Sequence, residues 1–190
     1  MTTLVFLLEE PSARDLLEGV LPRLLPATVV AKYMVFEGKQ DLEKRMVERM
    51  RRWLEPNSKF VVLRDQDANP SCQAVKARLR ALADEARRDD ALIRIACREL
   101  ESWVLGDLRA VGLAYDKPDL ERHQQKATYR DPDTLSNPVE EIRKFVPIYQ
   151  KRDGARRLGV LLDPERNRST SFQQFCEGIL RLVGGGPATY

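Results

Sequence analysis

The chain has 190 residues, 43% of them apolar, a size and composition that fit one globular domain and leave little room for a second core. Charged residues make up 32%, yet 32 Lys and Arg against 29 Asp and Glu leave only +3, which excludes a disordered charged tail and a wholly basic coat; any nucleic-acid contact must be a local patch. No apolar run approaches the ~20 residues of a bilayer span, residues 1–8 lack the basic leader of a signal peptide, and Cys72, Cys97 and Cys176 with the single His123 support neither a disulfide framework nor a zinc cluster. A cytoplasmic protein with reduced thiols and no membrane association is the expectation.

Residues 3–8 (TLVFLL) form a short continuous apolar run, the pattern of a strand buried on both faces in a parallel sheet. Pro11 opens a helix that carries Leu16, Leu17, Val20, Leu21 and Leu24 and closes at Pro26. Residues 28–36 (TVVAKYMVF) are rich in β-branched and aromatic side chains and predict a second strand, parallel or antiparallel. A helix over 41–54 follows, with Met46, Met50, Trp53 and Leu54 on its apolar face, then a third strand over 59–63. Asn69-Pro70 is a cap-then-proline start for a helix ending near Arg88, and residues 91–97 (ALIRIAC) are the fourth strand.

From Leu100 to Val111 the period is helical, with Trp103 on the apolar side. Residues 115–138 contain three prolines and no sustained period, which predicts an irregular loop or lid. Helices are expected at about 139–146, 152–162 and from Ser171 or Phe172 to Val183, ahead of a fraying Gly184-Gly185-Gly186-Pro187 tail. The alternation of strands and helices argues for an α/β fold: a mostly parallel sheet of about four strands over residues 1–110, flanked by helices, with residues 111–190 a helical extension packed on the same core.

Ligands of such sheets gather at the carboxyl ends of the strands, and acids recur there. Strand one ends at Glu9-Glu10, strand three at Asp65-Gln66-Asp67, and strand four is followed by Glu99, Glu101 and, more remotely, Asp107. In an extended segment Asp65 and Asp67 would point to one side, two hard oxygen ligands suited to Mg2+ or Mn2+. The same residues also read as a helix cap and a turn acceptor, and Glu99 and Glu101 as first-turn carboxylates favoured by the helix dipole.

The stretches LVFLLEEPS at 4–12 and FVVLRDQDANP at 60–70, in these strand contexts, resemble the Toprim domain shared by topoisomerases, bacterial primases and the overcoming-lysogenization-defect nucleases. RIACRELESWVLGD at 94–107 and NRSTSF at 167–172 look like a compact bacterial family described only as a domain of unknown function and often encoded beside an ATPase. The Toprim resemblance covers roughly residues 3–110, and the narrower one nearly the whole chain. It implies Glu9 as the general acid or base of phosphoryl chemistry, Asp65 and Asp67 as metal ligands, and an ATPase partner in phage defence. Many Toprim domains carry glycine after that glutamate, where this chain has Glu10.

Residues 143–168 are the most basic window, eight Lys and Arg against three acids. Lys151 and Arg152 stand at a predicted helix start, where a cation opposes the helix dipole and so needs another reason to be there. An anionic substrate is one such reason, with Lys151 stabilising charge on phosphorus oxygens and Arg152, Arg156 and Arg157 meeting a nucleic-acid backbone. Ser171 is most simply a helix N-cap, and in a functional version presents the helix end to phosphate. These observations frame a divalent-metal-dependent phosphodiesterase acting on DNA or RNA, with a non-catalytic Toprim-like binding module as the alternative.

Overall fold

Apolar runs with side chains demanding burial on both faces require a layer of helices on each side of the sheet, and the chain supplies them in turn. In the computed structural model, which describes residues 1–184, the first half runs β1 (Thr2–Leu8), α1 (Pro11–Leu24), β2 (Val29–Val35), α2 (Lys39–Arg51), β3 (Ser58–Asp65), α3 (Cys72–Glu85) and β4 (Leu92–Ala96). The second half is helical: α4 (Glu101–Leu105), α5 (Leu108–Ala114), three 3-10 segments, α6 (Pro138–Phe145), α7 (Lys151–Gly159) and α8 (Thr170–Leu182). The strands form one four-stranded sheet in the order β2-β1-β3-β4. Every pairing is parallel, β2 included.

Side-chain alternation along β1 sends Leu4, Phe6 and Leu8 to one face, where α1 lays down Leu16, Leu17, Val20 and Leu21 and the C-terminal helices add Trp103, Phe172 and Phe175. Val5 and Leu7 face the other way, with Phe60 and Val62, onto Leu42, Met46 and Met50 of α2 and Val75 and Leu79 of α3. Since the chain goes from β1 outward to β2 and then back across to β3, the strand order reverses between β1 and β3. The crevice at their carboxyl ends is the topological switch point of the sheet.

Several expectations shift. Leu54, expected on the apolar face of the second helix, is 91% exposed, because α2 ends at Arg51. The helix after β3 begins at Cys72, capped by Ser71, whose hydroxyl accepts the Ala74 amide, and the Asn69 side chain accepts from the Ser71 amide instead of capping the helix. The helix expected through 100–111 breaks at Gly106-Asp107, where the Asp107 carboxylate accepts the Ala110 amide and starts α5. α8 is capped by Ser169, two residues earlier than expected.

Residues 115–138 are no lid. They form short 3-10 turns at Pro118–Gln125, Ala127–Tyr129 and Pro132–Thr134. The buried Gln124 amide pins them, donating to the Leu105 and Tyr129 carbonyls and accepting from the Leu108 amide. The expectation for Gly185, Gly186 and Pro187 lies outside the described residues. Among those described, no helix is long and apolar enough to cross a membrane.

Candidate functional site

The switch point gathers five carboxylates from three strand ends: Glu9 and Glu10 after β1, Asp65 closing β3, and Glu99 and Glu101 after β4. The register puts Leu8 beside Leu63, so Glu9 stands level with the end of β3, and its Oε2 accepts the Asp65 amide at 3.3 Å. Asp65 is buried, and its carboxylate accepts no hydrogen bond among the described residues. Burial first, then the charges of Glu101, Glu10 and Glu9, push its pKa well above the ordinary carboxylate range. Glu101, 2% exposed, is raised by burial against the pull of Lys151.

Lys151 meets these acids from the first residue of α7. Its Nζ lies 3.4 Å from Glu99 Oε2, 3.4 Å from Glu101 Oε2 and 4.0 Å from Glu10 Oε1. Burial works against the ammonium, but Glu101, Glu10, Glu99 and Asp65 outweigh it and hold its pKa above the ordinary lysine value. The cation that opposes its own helix dipole therefore has a partner inside the protein. Even so, the Oε2 atoms of both Glu99 and Glu101 are buried without a hydrogen bond. Tyr149, buried beside them, donates its hydroxyl to Glu101 Oε1 at 3.3 Å.

α7 is aimed by its crossing with α1. A Cβ on Gly159 would stand 2.5 Å from the Leu16 carbonyl oxygen, and one on Gly19 would stand 2.4 Å from the Gly159 carbonyl carbon. Only two glycines allow backbones this close, and the approach brings the α7 N-terminus to the end of β1.

Asp65 and Asp67 do not point to one side. Asp67 takes a left-handed φ of 55°, its amide bonds to the Arg98 carbonyl at 2.7 Å, and its carboxylate accepts from Lys39 Nζ at 2.9 Å. Arg98 is left-handed too, at 63°, so the loops after β3 and β4 meet through two strained residues at the carboxyl edge. Asp67 still acts on the site: after burial, its charge is the largest cause raising Glu9. Arg64, only 7% exposed in spite of its charge, leans on this side of the cluster, Nε 3.7 Å from Glu9 Oε2 and Nη1 bonded to Glu43.

The remaining candidates fall elsewhere. Arg152 and Arg156 both pair with Asp15 of α1, at 2.7 and 3.6 Å, and Arg157 pairs with Asp153 while its guanidinium covers the Tyr115 ring. Their side chains remain more than half exposed, on the flank of α7. Ser171 is buried away from the acids, accepting from Trp103 Nε1 at 2.8 Å with its amide on Asp133. Asp107 belongs to a closed knot, bonded to the Ala110 and Asp163 amides and gripped by Arg166 at 2.9 and 2.8 Å.

Sequence reasoning missed two members of the site, Arg64 and Tyr149. Glu10, placed with Glu9 at the end of strand one but also a departure from the Toprim motif, shares Lys151 with Glu99 and Glu101. Arg64 could have been found as a charge inside the apolar run FVVLRD, and Tyr149 as an aromatic just ahead of an unexplained cation.

The donor set is all hard oxygen, the kind that suits Mg2+ or Mn2+, with Asp65 accepting no hydrogen bond among the described residues and with Glu99 Oε2 and Glu101 Oε2 answered only by the Lys151 ammonium. Among the described residues no group of three or more His, Cys, Asp or Glu side chains is placed to hold a metal ion as the side chains stand. Lys151 occupies the space between the outer acids, leaving Asp65 and Glu9 as the carboxylates to take an ion, with Glu101 beside them. The model of a family described as a domain of unknown function, DUF4276, matches residues 8–180 of the chain. No curated protein and no solved structure matches it.

Proposed function

We propose, for a chain that belongs to the DUF4276 family of unknown function, a divalent-metal-dependent phosphodiesterase that hydrolyses nucleic acid. The observation that carries this reading is Asp65: a buried carboxylate at the switch point that accepts no hydrogen bond among the described residues and is faced by Glu101, Glu10 and Glu9, with the Lys151 ammonium pulling the other way. Such a group costs several kcal/mol of desolvation unless a cation answers it. The likeness of residues 4–12 and 60–70 to Toprim domains adds the expectation of phosphoryl chemistry in a defence role, and the likeness of residues 94–107 and 167–172 to a family often encoded beside an ATPase adds that of an ATPase partner.

Asp65, Glu9 and Glu101 would hold the ion, Asp67 joining by release from Lys39. A metal bound there would polarise a phosphoryl oxygen and lower the pKa of its water. Glu9, raised by burial and by Asp67, is suited to take a proton from the attacking water or to return one to the leaving oxygen. Lys151, ionised and half-exposed, would neutralise charge building on the non-bridging oxygens.

A second reading rests on Lys151 itself. An ammonium shared among Glu10, Glu99 and Glu101 is what a non-catalytic module with an internally neutralised pocket would show. Plasmid DNA and a structured RNA, incubated with wild type, Asp65→Asn and Asp67→Ala proteins in Mn2+, Mg2+ or chelator, separate the two. Cleavage that needs both metal and Asp65 supports the hydrolase. Absence of cleavage together with absence of calorimetric metal binding supports the module.

A further inference from the structure

We propose that the open pocket between the N-terminal ends of α2 and α3 binds a phosphate group of the substrate next to the acid cluster; this rests on the phosphodiesterase reading. The pocket has a volume of about 420 Å³ and is lined by Lys39, Gln40, Glu43, Arg64, Asn69 and Arg78, three cations against one carboxylate. That is roomy for an anion with part of its hydration, since a water occupies ~30 Å³ of liquid.

Arg64 is the distinguishing feature. A guanidinium presents five N–H donors, yet this one, 7% exposed, spends a hydrogen bond only on Glu43, and its Nε has no acceptor. Glu43 bonds Arg64 through one oxygen and pairs with Arg78 Nε through the other at 2.6 Å, so one carboxylate holds two guanidiniums side by side at the pocket wall and neutralises only one of them. The planar fork of arginine matches phosphate as it matches carboxylate. The start of α2, which has no side-chain cap, faces the same end of the sheet and favours an anion further, while α3 is already capped by Ser71.

Two of the pocket's cations also touch the acid cluster. Arg64 Nε lies 3.7 Å from Glu9 Oε2, and Lys39 Nζ lies 2.9 Å from Asp67 Oδ2. A phosphate seated here is therefore a neighbour of the one attacked: either the next diester of the strand or a terminal monoester. Both share the chemistry the pocket recognises.

Calorimetry in chelator, where no cleavage occurs, tests binding alone, with inorganic phosphate, a 5′-phosphorylated dinucleotide and its 5′-hydroxyl counterpart as probes. Wild type should bind, and Arg78→Gln, at a side chain 70% exposed, should weaken binding about 10-fold. Arg122→Gln, at a remote arginine 85% exposed, should not change it. Arg78-dependent binding of both dinucleotides assigns the pocket to an internal phosphate, and of the phosphorylated one alone to a strand terminus. No binding at millimolar concentration, or equal binding by wild type, Arg78→Gln and Lys39→Gln, overturns the proposal. Asp65→Asn should bind the probes as wild type does; Arg78-dependent binding by a protein that cleaves nothing keeps the pocket and sinks the hydrolase.

Discussion

Asp107 and Asp65 are both buried acids at the ends of regular elements, at 1% and 9% exposure, and their surroundings could hardly differ more. Asp107 caps α5, accepts a second amide from Asp163 and is gripped by both arms of Arg166. Asp65 accepts nothing and faces Glu101, Glu10 and Glu9. A carboxylate that serves the fold has its lone pairs satisfied, as Asp107 does, whereas Asp65 is held where its neighbours leave it destabilised. Burial by itself does not separate the two, whereas the count of partners does.

The sharpest way to break this comparison is to remove both charges. Asp107→Ala strips a buried ion pair and a helix cap and should cost about 3 kcal/mol or more, a large part of a typical 5–15 kcal/mol stability. Asp65→Asn should raise the urea midpoint, because it removes repulsion with no bond to lose, while lowering metal-dependent turnover at least ~100-fold. Destabilisation of Asp65→Asn comparable to that of Asp107→Ala would show that Asp65 serves the fold after all.

The position of Lys151 gives the next test. Gly159→Ala would place a methyl 2.5 Å from the Leu16 carbonyl oxygen, so the α1–α7 crossing must open, at about 1–3 kcal/mol for overpacking. The N-terminus of α7 moves with it, and turnover should fall although no site residue has changed. Lys151→Met leaves Glu10, Glu99 and Glu101 facing one another. Its melting temperature should drop, and millimolar Mn2+ should raise it by more than it raises wild type, the ion replacing the lost ammonium. Equal shifts in the two proteins would place the metal elsewhere.

Titration probes the same imbalance more gently. Glu9, Asp65 and Glu101 have folded pKa values raised above their unfolded ones, so the folded state holds more protons and stability falls as pH climbs from the ordinary carboxylate range through the raised values. Lys151 follows the same direction in a different window: its stabilising contribution is fully present below its ordinary value of 10.5 and is lost as pH rises through the raised one. As pH rises above the ordinary carboxylate range, urea melts of wild type should lose stability relative to Asp65→Asn. Saturating Mn2+ should abolish the difference, since the ion binds the deprotonated form.

Much of this was legible from one-dimensional pattern. Continuous apolar runs such as residues 3–8 announce a buried parallel sheet, and the acids after them were placed at the correct edge because strand ends are readable to within a few residues. What pattern could not supply was the partner of each charge. Asp65 and Asp67 look equivalent at i and i+2, until a left-handed φ at Asp67 turns one towards Lys39 and leaves the other alone. Gln124 in a proline-rich stretch gives no periodic signal, yet three hydrogen bonds from its amide turn an expected lid into a packed strap. Asp107 and Glu101 were both acids after β4; only the fold put Arg166 against one and Tyr149 against the other.

The smallest effect sits where the two kinds of acid meet a third. Asp15, 8% exposed on α1, is partnered by Arg152 and Arg156, and this balance lowers its pKa although burial works against it. It resembles Asp107 in having cations but resembles the open site in that those cations are largely exposed. Arg152→Gln leaves Arg156 in place, so thermal stability should hardly move. If the flank of α7 also carries a nucleic-acid backbone, the same change should weaken binding uniformly across sequences and reduce the salt slope by about 1, the signature of one lost phosphate contact. An unchanged slope would confine Arg152 to holding α7 against α1, and leave the pocket at Arg64 and Arg78 as the place where phosphate is met.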